Sequence, residues 1–262
     1  IPTTGPREPS EEQQRIIDDV MEAVKKRQEL FADESGINDT KIEALPHGLF
    51  LMHGAAGTGK TNVVLNLDTM CTLVAVATTG NAATLIQKCT TVHKRHGFPF
   101  NVQRRNTFLP SSKTASQDLM EADVYLLDEM SMLNTNMISH ISRHLQQVRS
   151  QDERLGHVYA KMPFGGLVVV LSGDFRQLPP VSEAPIYKSL FQQASKVTPF
   201  LEARTPMDDG VQLFKQFRMR ALTVQQRLQK AGLDPEDPDH DERHAIHRRM
   251  IERFSTHTRP LD

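Results

Sequence analysis

An α/β domain, with a mostly parallel sheet and helices on both faces, is the fold class this sequence predicts, and three observations predict it. Four short apolar runs, Leu49-Phe-Leu-Met52, Leu73-Val-Ala-Val-Ala77, Val124-Tyr-Leu-Leu127 and Leu167-Val-Val-Val-Leu171, show no polar–apolar alternation, as expected of strands buried on both faces of a parallel sheet. Helical segments lie between them, the order of a doubly wound domain. The first run leads directly into Gly54-Ala-Ala-Gly57-Thr58-Gly59-Lys60-Thr61, which has the spacing G-x-x-x-x-G-K-[ST].

Taken in order, the first element is a helix beginning at Ser10. Ser10 and Gln13 have capping-box spacing, and Ile16, Ile17, Val20, Met21 and Val24 recur at helical intervals. Residues Asp33 to His47 are polar, carry Gly and Pro, and read as a loop or insertion. Asn62 to Leu67 follows the glycine-rich turn as a helix, so a helix N-terminus faces whatever the turn holds. Asn136 to Val148 is the clearest later helix, with Met137, Ile138, Ile141, Leu145 and Val148 on one face. Asn101–Gln117 and Ser150–Pro163 read as long surface loops. Beyond about Thr198 the pattern weakens, and Gly232–Arg243, acidic with Pro235 and Pro238, resembles a linker.

Composition bounds the function. The chain has 262 residues, 38% hydrophobic and 24% charged, with a net charge of −1, as for a globular protein of one large domain or slightly more. No apolar run approaches the roughly 18 residues of a membrane span, so no membrane partner is expected. The first residue is Ile1, which predicts a piece of something longer. Cys71 and Cys89 lack metal-ligand spacing and read as small core residues of an intracellular protein in a reducing compartment. Near-neutral charge means that any nucleic-acid contact rests on local clusters.

The glycine-rich turn carries the first chemistry. Glycines let successive N–H groups turn inward at phosphate oxygens; Lys60 can reach the β- and γ-phosphates, and the Thr61 hydroxyl can ligate Mg²⁺. The expected ligand is therefore a nucleoside triphosphate held by Gly54, Gly57, Thr58, Gly59, Lys60 and Thr61. Asp128 and Glu129 close the third apolar run: Asp128 would hold Mg²⁺, and Glu129 would polarise the attacking water. Ser172-Gly-Asp174-Phe-Arg-Gln177-Leu-Pro-Pro-Val181 closes the fourth. There Gln177 can hydrogen-bond the γ-phosphate, and Pro179 and Pro180 stiffen the exit.

These motifs, with Ala77-Thr-Thr-Gly-Asn-Ala-Ala83 between the first two, resemble superfamily 1 DNA helicases of the RecD/Pif branch, and most of all the Pif-type helicases. The similarity runs from about Ser10 to Val181. It implies a RecA-like P-loop ATPase lobe over 1–197, the beginning of a second such lobe over 198–262, ATP and Mg²⁺ as ligands, and single-stranded DNA as partner with 5′-to-3′ translocation. It further implies that Gln13 reads adenine; the residues alone equally allow a helix cap. Thr79, Gly80 and Asn81 match a DNA-backbone segment, and Thr91 and His93, with Lys94 and Arg95 beside them, match a second, although Cys89 stands where the family usually has Gly. Leu222-Thr-Val-Gln-Gln-Arg227 resembles the motif whose arginine contacts the γ-phosphate, in preference to Arg218. No counterparts of the family's fifth and sixth motifs follow Arg227, which puts unwinding by this chain alone in doubt. A nucleotide- and DNA-binding module without unwinding activity is the alternative. A eukaryotic source would imply the nucleus or mitochondrion.

Overall fold

The structure is a computed structural model that describes residues 5–32, 37–45, 48–84, 86, 88–97, 113–180, 186, 206–224 and 226. Its centre is a six-stranded parallel sheet in the order β3-β2-β4-β5-β1-β6. The strands are β1 (Leu49–Gly54), β2 (Leu73–Ala77), β3 (Thr90–Thr91), β4 (Val124–Asp128), β5 (Val168–Gly173) and β6 (Arg218–Leu222). The helices are α1 (Glu11–Ala32), α2 (Asp39–Glu43), α3 (Lys60–Met70), α4 (Gly80–Ala83), α5 (Val92–His96), α6 (Lys113–Glu121), α7 (Thr135–Arg149), α8 (Gly156–Tyr159) and α9 (Pro206–Phe214).

The unbroken apolar runs have the predicted origin. Successive side chains of a strand point to opposite faces, and here both faces are covered. Leu49, Leu51, Tyr125, Leu127, Val169 and Leu171 join Ile138, Ile141, Leu145 and Val148 of α7 in one core. Phe50, Met52, Val124, Leu126, Val168 and Val170 join Ile16, Ile17, Val20 and Val24 of α1 and Val63, Val64 and Leu67 of α3 in the other. A polar residue at any central strand position would therefore be buried, whichever face it took.

Local signals explain the helix starts. The Asn134 side chain accepts the Met137 N–H at 2.8 Å and begins α7 one residue before the sequence-based boundary. Asn38 caps α2 in the same way, so a short helix occupies part of the stretch read as a loop. Half of the expected capping box forms at α1. The Ser10 N–H donates to Gln13 Oε1 at 3.1 Å, while the buried Ser10 Oγ has no partner among the described residues.

The stretch after 198 departs from the expected division. Strand β6 pairs in parallel with β1, Gly54 beside Leu222, and α9 packs on α7. Residues 206–222, read from the sequence as the opening of a second lobe, thus complete the sheet of the first. Strand β6 escaped the sequence reading because an edge strand needs no apolar run: four of its five residues are not buried. Strand β3 has two residues, both threonine.

Candidate functional site

Register brings the separate motifs to one edge. His53 is level with Gly173, Leu127 with Leu171, and Ala77 with both Asp128 and Thr91. The carboxyl ends of β1, β4, β5 and β2 therefore lie side by side, where ligands of open parallel sheets bind. The glycine-rich turn lies on the β5–β1–β6 side, the Thr79 and Thr91 segments lie on the β2–β3 side, and Asp128 stands between.

Two glycines in the turn are required by geometry. A Cβ on Gly54 would lie 2.5 Å from Thr58 Oγ1, and one on Gly59 would lie 2.2 Å from Gln13 Nε2. Gly57 and Gly59 also have φ of 91° and 86°, a region open to glycine and costly for other residues. Gly59 caps α3, so the unpaired N–H groups of that helix face the turn. Thr58 is buried, its hydroxyl donating to Ala55 O at 2.9 Å. Lys60 Nζ donates to Gly54 O at 2.6 Å and to Ala55 O at 3.1 Å, which holds the ammonium across the mouth of the turn. Thr61 is exposed in the first turn of α3.

The acidic pair ends β4. Asp128 Oδ1 accepts the Ser172 hydroxyl at 2.8 Å. Glu129 adopts the left-handed conformation, φ 59° and ψ 49°, a strain of about 1–3 kcal/mol for a residue with a side chain. Burial raises its carboxyl above the ordinary range and Asp128 raises it further; the Lys60 ammonium opposes them, and Asp174 adds to the rise. This carboxylate-rich edge, with the Ser172 hydroxyl and the Lys60 ammonium near it, has the hard-oxygen donors that suit Mg²⁺.

The loop after β5 is tied back to the strand before the glycine turn. Asp174 is buried, 3.3 Å from His53 Nε2, and accepts Arg176 Nε at 3.1 Å, Nη2 at 3.2 Å and the Arg176 N–H at 3.0 Å. Burial pushes its carboxyl up, but the Arg176 bonds prevail and hold it below the usual range. The Gln177 N–H donates to Asp174 O at 3.0 Å, and its buried Oε1 has no partner among the described residues.

Gln13 is placed differently from the expected adenine reader. Its side chain is buried; Nε2 donates to Thr58 O at 3.1 Å and Gly59 O at 3.4 Å, and Oε1 accepts the Ser10 N–H and Asn62 Nδ2 at 3.0 Å. Both donors and both acceptor positions are filled, so the amide braces the glycine turn. Glu12, beside it, accepts Thr223 N–H at 2.9 Å, Thr223 Oγ1 at 2.5 Å and Val224 N–H at 3.3 Å. The Thr223 hydroxyl is the main reason its carboxyl lies below the usual range.

The second group of motif residues is only partly free for a ligand. Thr79 Oγ1 accepts Ala82 N–H at 3.3 Å, and Thr91 Oγ1 caps α5 by accepting Lys94 N–H at 3.3 Å. Gly80 and Lys94 are exposed, Asn81 lies in α4, and His93 is half-buried, its imidazole pKa lowered by burial. Arg95 differs from the expected open contact: it pairs with Asp118 of α6 at 3.1 Å, with its side chain only 10% exposed. Arg227 lies outside the described residues, but Gln226 reaches to within 3.3 Å of where a Gly59 Cβ would stand. Arg218 is level with Phe50, four residues before Gly54 and hence about 13 Å from the site edge, which removes it as a phosphate ligand.

Thr78, His53, Ser172, Asn62 and Glu12 were missed as site residues. Thr78 and Ser172 stood inside quoted motifs; the others act through the fold, and their residue types carry no signal of it. Burial pushes the Cys71 thiol up to about 12 and the Cys89 thiol to about 11, as core residues rather than nucleophiles. Among the described residues no three metal-ligating side chains cluster, and no helix is long and apolar enough to cross a membrane.

The family model of the PIF1-like helicases matches residues 34–240. The ATP-dependent DNA helicase PIF7 of Trypanosoma brucei brucei is 34% identical over 142 residues, 50% of this chain and 13% of the relative. The structure of unliganded Pif1 from Bacteroides sp matches with a TM-score of 0.52 and 25% identity, over 83% of this chain and 42% of that one. Pif1 helicase from Bacteroides in complex with ADP-AlF3 and ssDNA matches with a TM-score of 0.56 and 22% identity, over 87% of this chain and 44% of that one. The chain thus spans less than half the length of these proteins.

Proposed function

The chain belongs to the PIF1-like helicase family, and from that premise we propose that it is the nucleotide-driven lobe of an ATP-dependent DNA helicase motor. The observation that carries the proposal is the convergence of Lys60, Asp128 and Glu129 on one sheet edge, with Gln177 in the loop that follows the adjoining strand β5. The N–H groups of the glycine turn and of α3 would hold the β- and γ-phosphates, and Lys60 would leave its loop carbonyls for them. Thr61 and Asp128 would hold Mg²⁺, which supplies neutralising charge to the phosphates when bound. Glu129 takes a proton from the attacking water, and Gln177 registers the γ-phosphate by donating through Nε2.

Thr79–Asn81, His93 and Lys94 would meet the backbone of single-stranded DNA, with motion 5′ to 3′ along it. A second lobe would follow β6, and Arg227, one residue beyond Gln226, would reach the γ-phosphate; such arginines are worth about 10³–10⁵ in rate. An intracellular location, nuclear or mitochondrial in a eukaryote, fits this role. The test is hydrolysis of ATP by the chain with and without single-stranded oligonucleotide, and with Lys60→Ala as control. Hydrolysis that rises with DNA and vanishes in Lys60→Ala is the expected result. Tight ATP binding with no turnover in either condition would replace the motor by a nucleotide-binding module.

A further inference from the structure

Strands β2 and β4 end level with each other, Ala77 beside Asp128. The next residue of β2's exit crosses to its neighbour twice: the Thr78 N–H donates to Asp128 O at 3.3 Å, and Thr78 Oγ1 donates to Glu129 O at 3.0 Å. Glu129 is one of only three non-glycine residues with positive φ among those described, and a strained backbone persists only where its surroundings hold it. The carbonyl held by Thr78 belongs to that strained residue. Met132 N–H, at 3.3 Å, is the other donor to it, from the turn that follows. One peptide bond beyond Thr78, the Thr79 hydroxyl caps α4, which begins with the exposed Gly80, followed by Asn81.

We propose that Thr78 is a positioning residue that transmits DNA-backbone contact at residues 79–81 to the backbone of Glu129, and so sets its carboxylate for attack on the nucleotide. This rests on the motor reading above. The physical basis is short and continuous. A phosphate drawn onto the Gly80 turn shifts the 78–79 peptide, and the Thr78 hydroxyl passes that shift to the Glu129 carbonyl. Rotation of that strained peptide reorients the side chain attached to it. The Glu129 carbonyl, held by the Thr78 hydroxyl and the Met132 N–H on a strained left-handed residue, moves with that hydroxyl.

The test uses the 262-residue chain with Thr78→Val, which keeps the shape and removes the donor, and Thr78→Ser, which keeps the donor. ATP hydrolysis is measured across nucleotide concentration, with and without oligo-dT, together with oligo-dT affinity. In Thr78→Val the DNA-stimulated-to-unstimulated ratio should fall about tenfold, the worth of one hydrogen bond to a polar group, with KM for ATP and oligo-dT affinity within about twofold. Thr78→Ser should restore most of the ratio. An unchanged ratio in Thr78→Val, or a fall that Thr78→Ser does not rescue, overturns the proposal. So does a parent chain that hydrolyses ATP without response to DNA, and in that case nucleotide turnover itself still stands. If the parent binds DNA and hydrolyses nothing, the motor reading fails, and hydrogen exchange over residues 124–133 decides on Thr78. A DNA-induced change there that is lost in Thr78→Val and kept in Thr78→Ser supports the link; the same change in all three, or none in the parent, overturns it.

Discussion

Replacing Gln13 with alanine removes four hydrogen bonds from a side chain that is 2% exposed. Three of them, at 3.0–3.1 Å, have normal lengths, and the bond to Gly59 O at 3.4 Å is weak. At about 1 kcal/mol net for each good bond, the loss is about 3 kcal/mol, and water has little room to substitute. For a domain of this size that lowers Tm by about 6–12 °C. Slackening of the turn should weaken ATP, GTP and CTP alike, because what is lost holds the phosphates. A base reader gives a different pattern: stability near that of the parent, and a selective loss of ATP preference of about 10- to 100-fold for one or two hydrogen bonds. Thermal unfolding and KM for the three nucleotides, in parent and variant, separate the two. A variant as stable as the parent that loses only its discrimination between ATP and GTP would refute the bracing role.

Three further outcomes follow from the same geometry. Glu129→Gln should keep ATP affinity and lose turnover, and in the parent the acid limb of the rate should lie above pH 4.5, because the carboxyl must lose its proton to act and burial raises its pKa; a limb at or below 4.5 in a pH–rate profile would contradict this. His96 is fully buried, 2.7 Å from His144 Nδ1 and 2.6 Å from the Tyr125 hydroxyl, and burial holds its pKa well below 6.5. The unfolded chain binds the proton first, so stability is full above pH 6.5 and falls by about 1.4 kcal/mol per unit below it, which urea unfolding at pH 7.5 and 5.5 can read. Lys94→Ala should reduce the salt slope of single-stranded DNA binding by about 0.7 from an initial value of about −1.5 to −3, and Arg95→Ala should change it less, because Asp118 already holds that guanidinium; equal losses would return Arg95 to the DNA path.

The class of fold and the identity of the nucleotide turn were legible because each is written in adjacent residues. Leu167 to Leu171 reads as a strand buried on both faces, and Gly54 to Thr61 admits few uses of its spacing. Asp128 and Glu129 were picked out for the same reason, directly after an apolar run at the strand end where a parallel sheet binds ligands, and Gln177 from the motif in the loop that leaves the fourth run. What the chain could not disclose is pairing across long separations. Glu12 meets Thr223, Thr78 meets Glu129, and Arg95 meets Asp118 only because strand order brings together positions 211, 51 and 23 apart in sequence. Hydrogen-bond saturation is a tertiary property of the same kind. The sequence offers Gln13 an amide with two donors and two acceptor positions, and only the packed turn shows which partners they take.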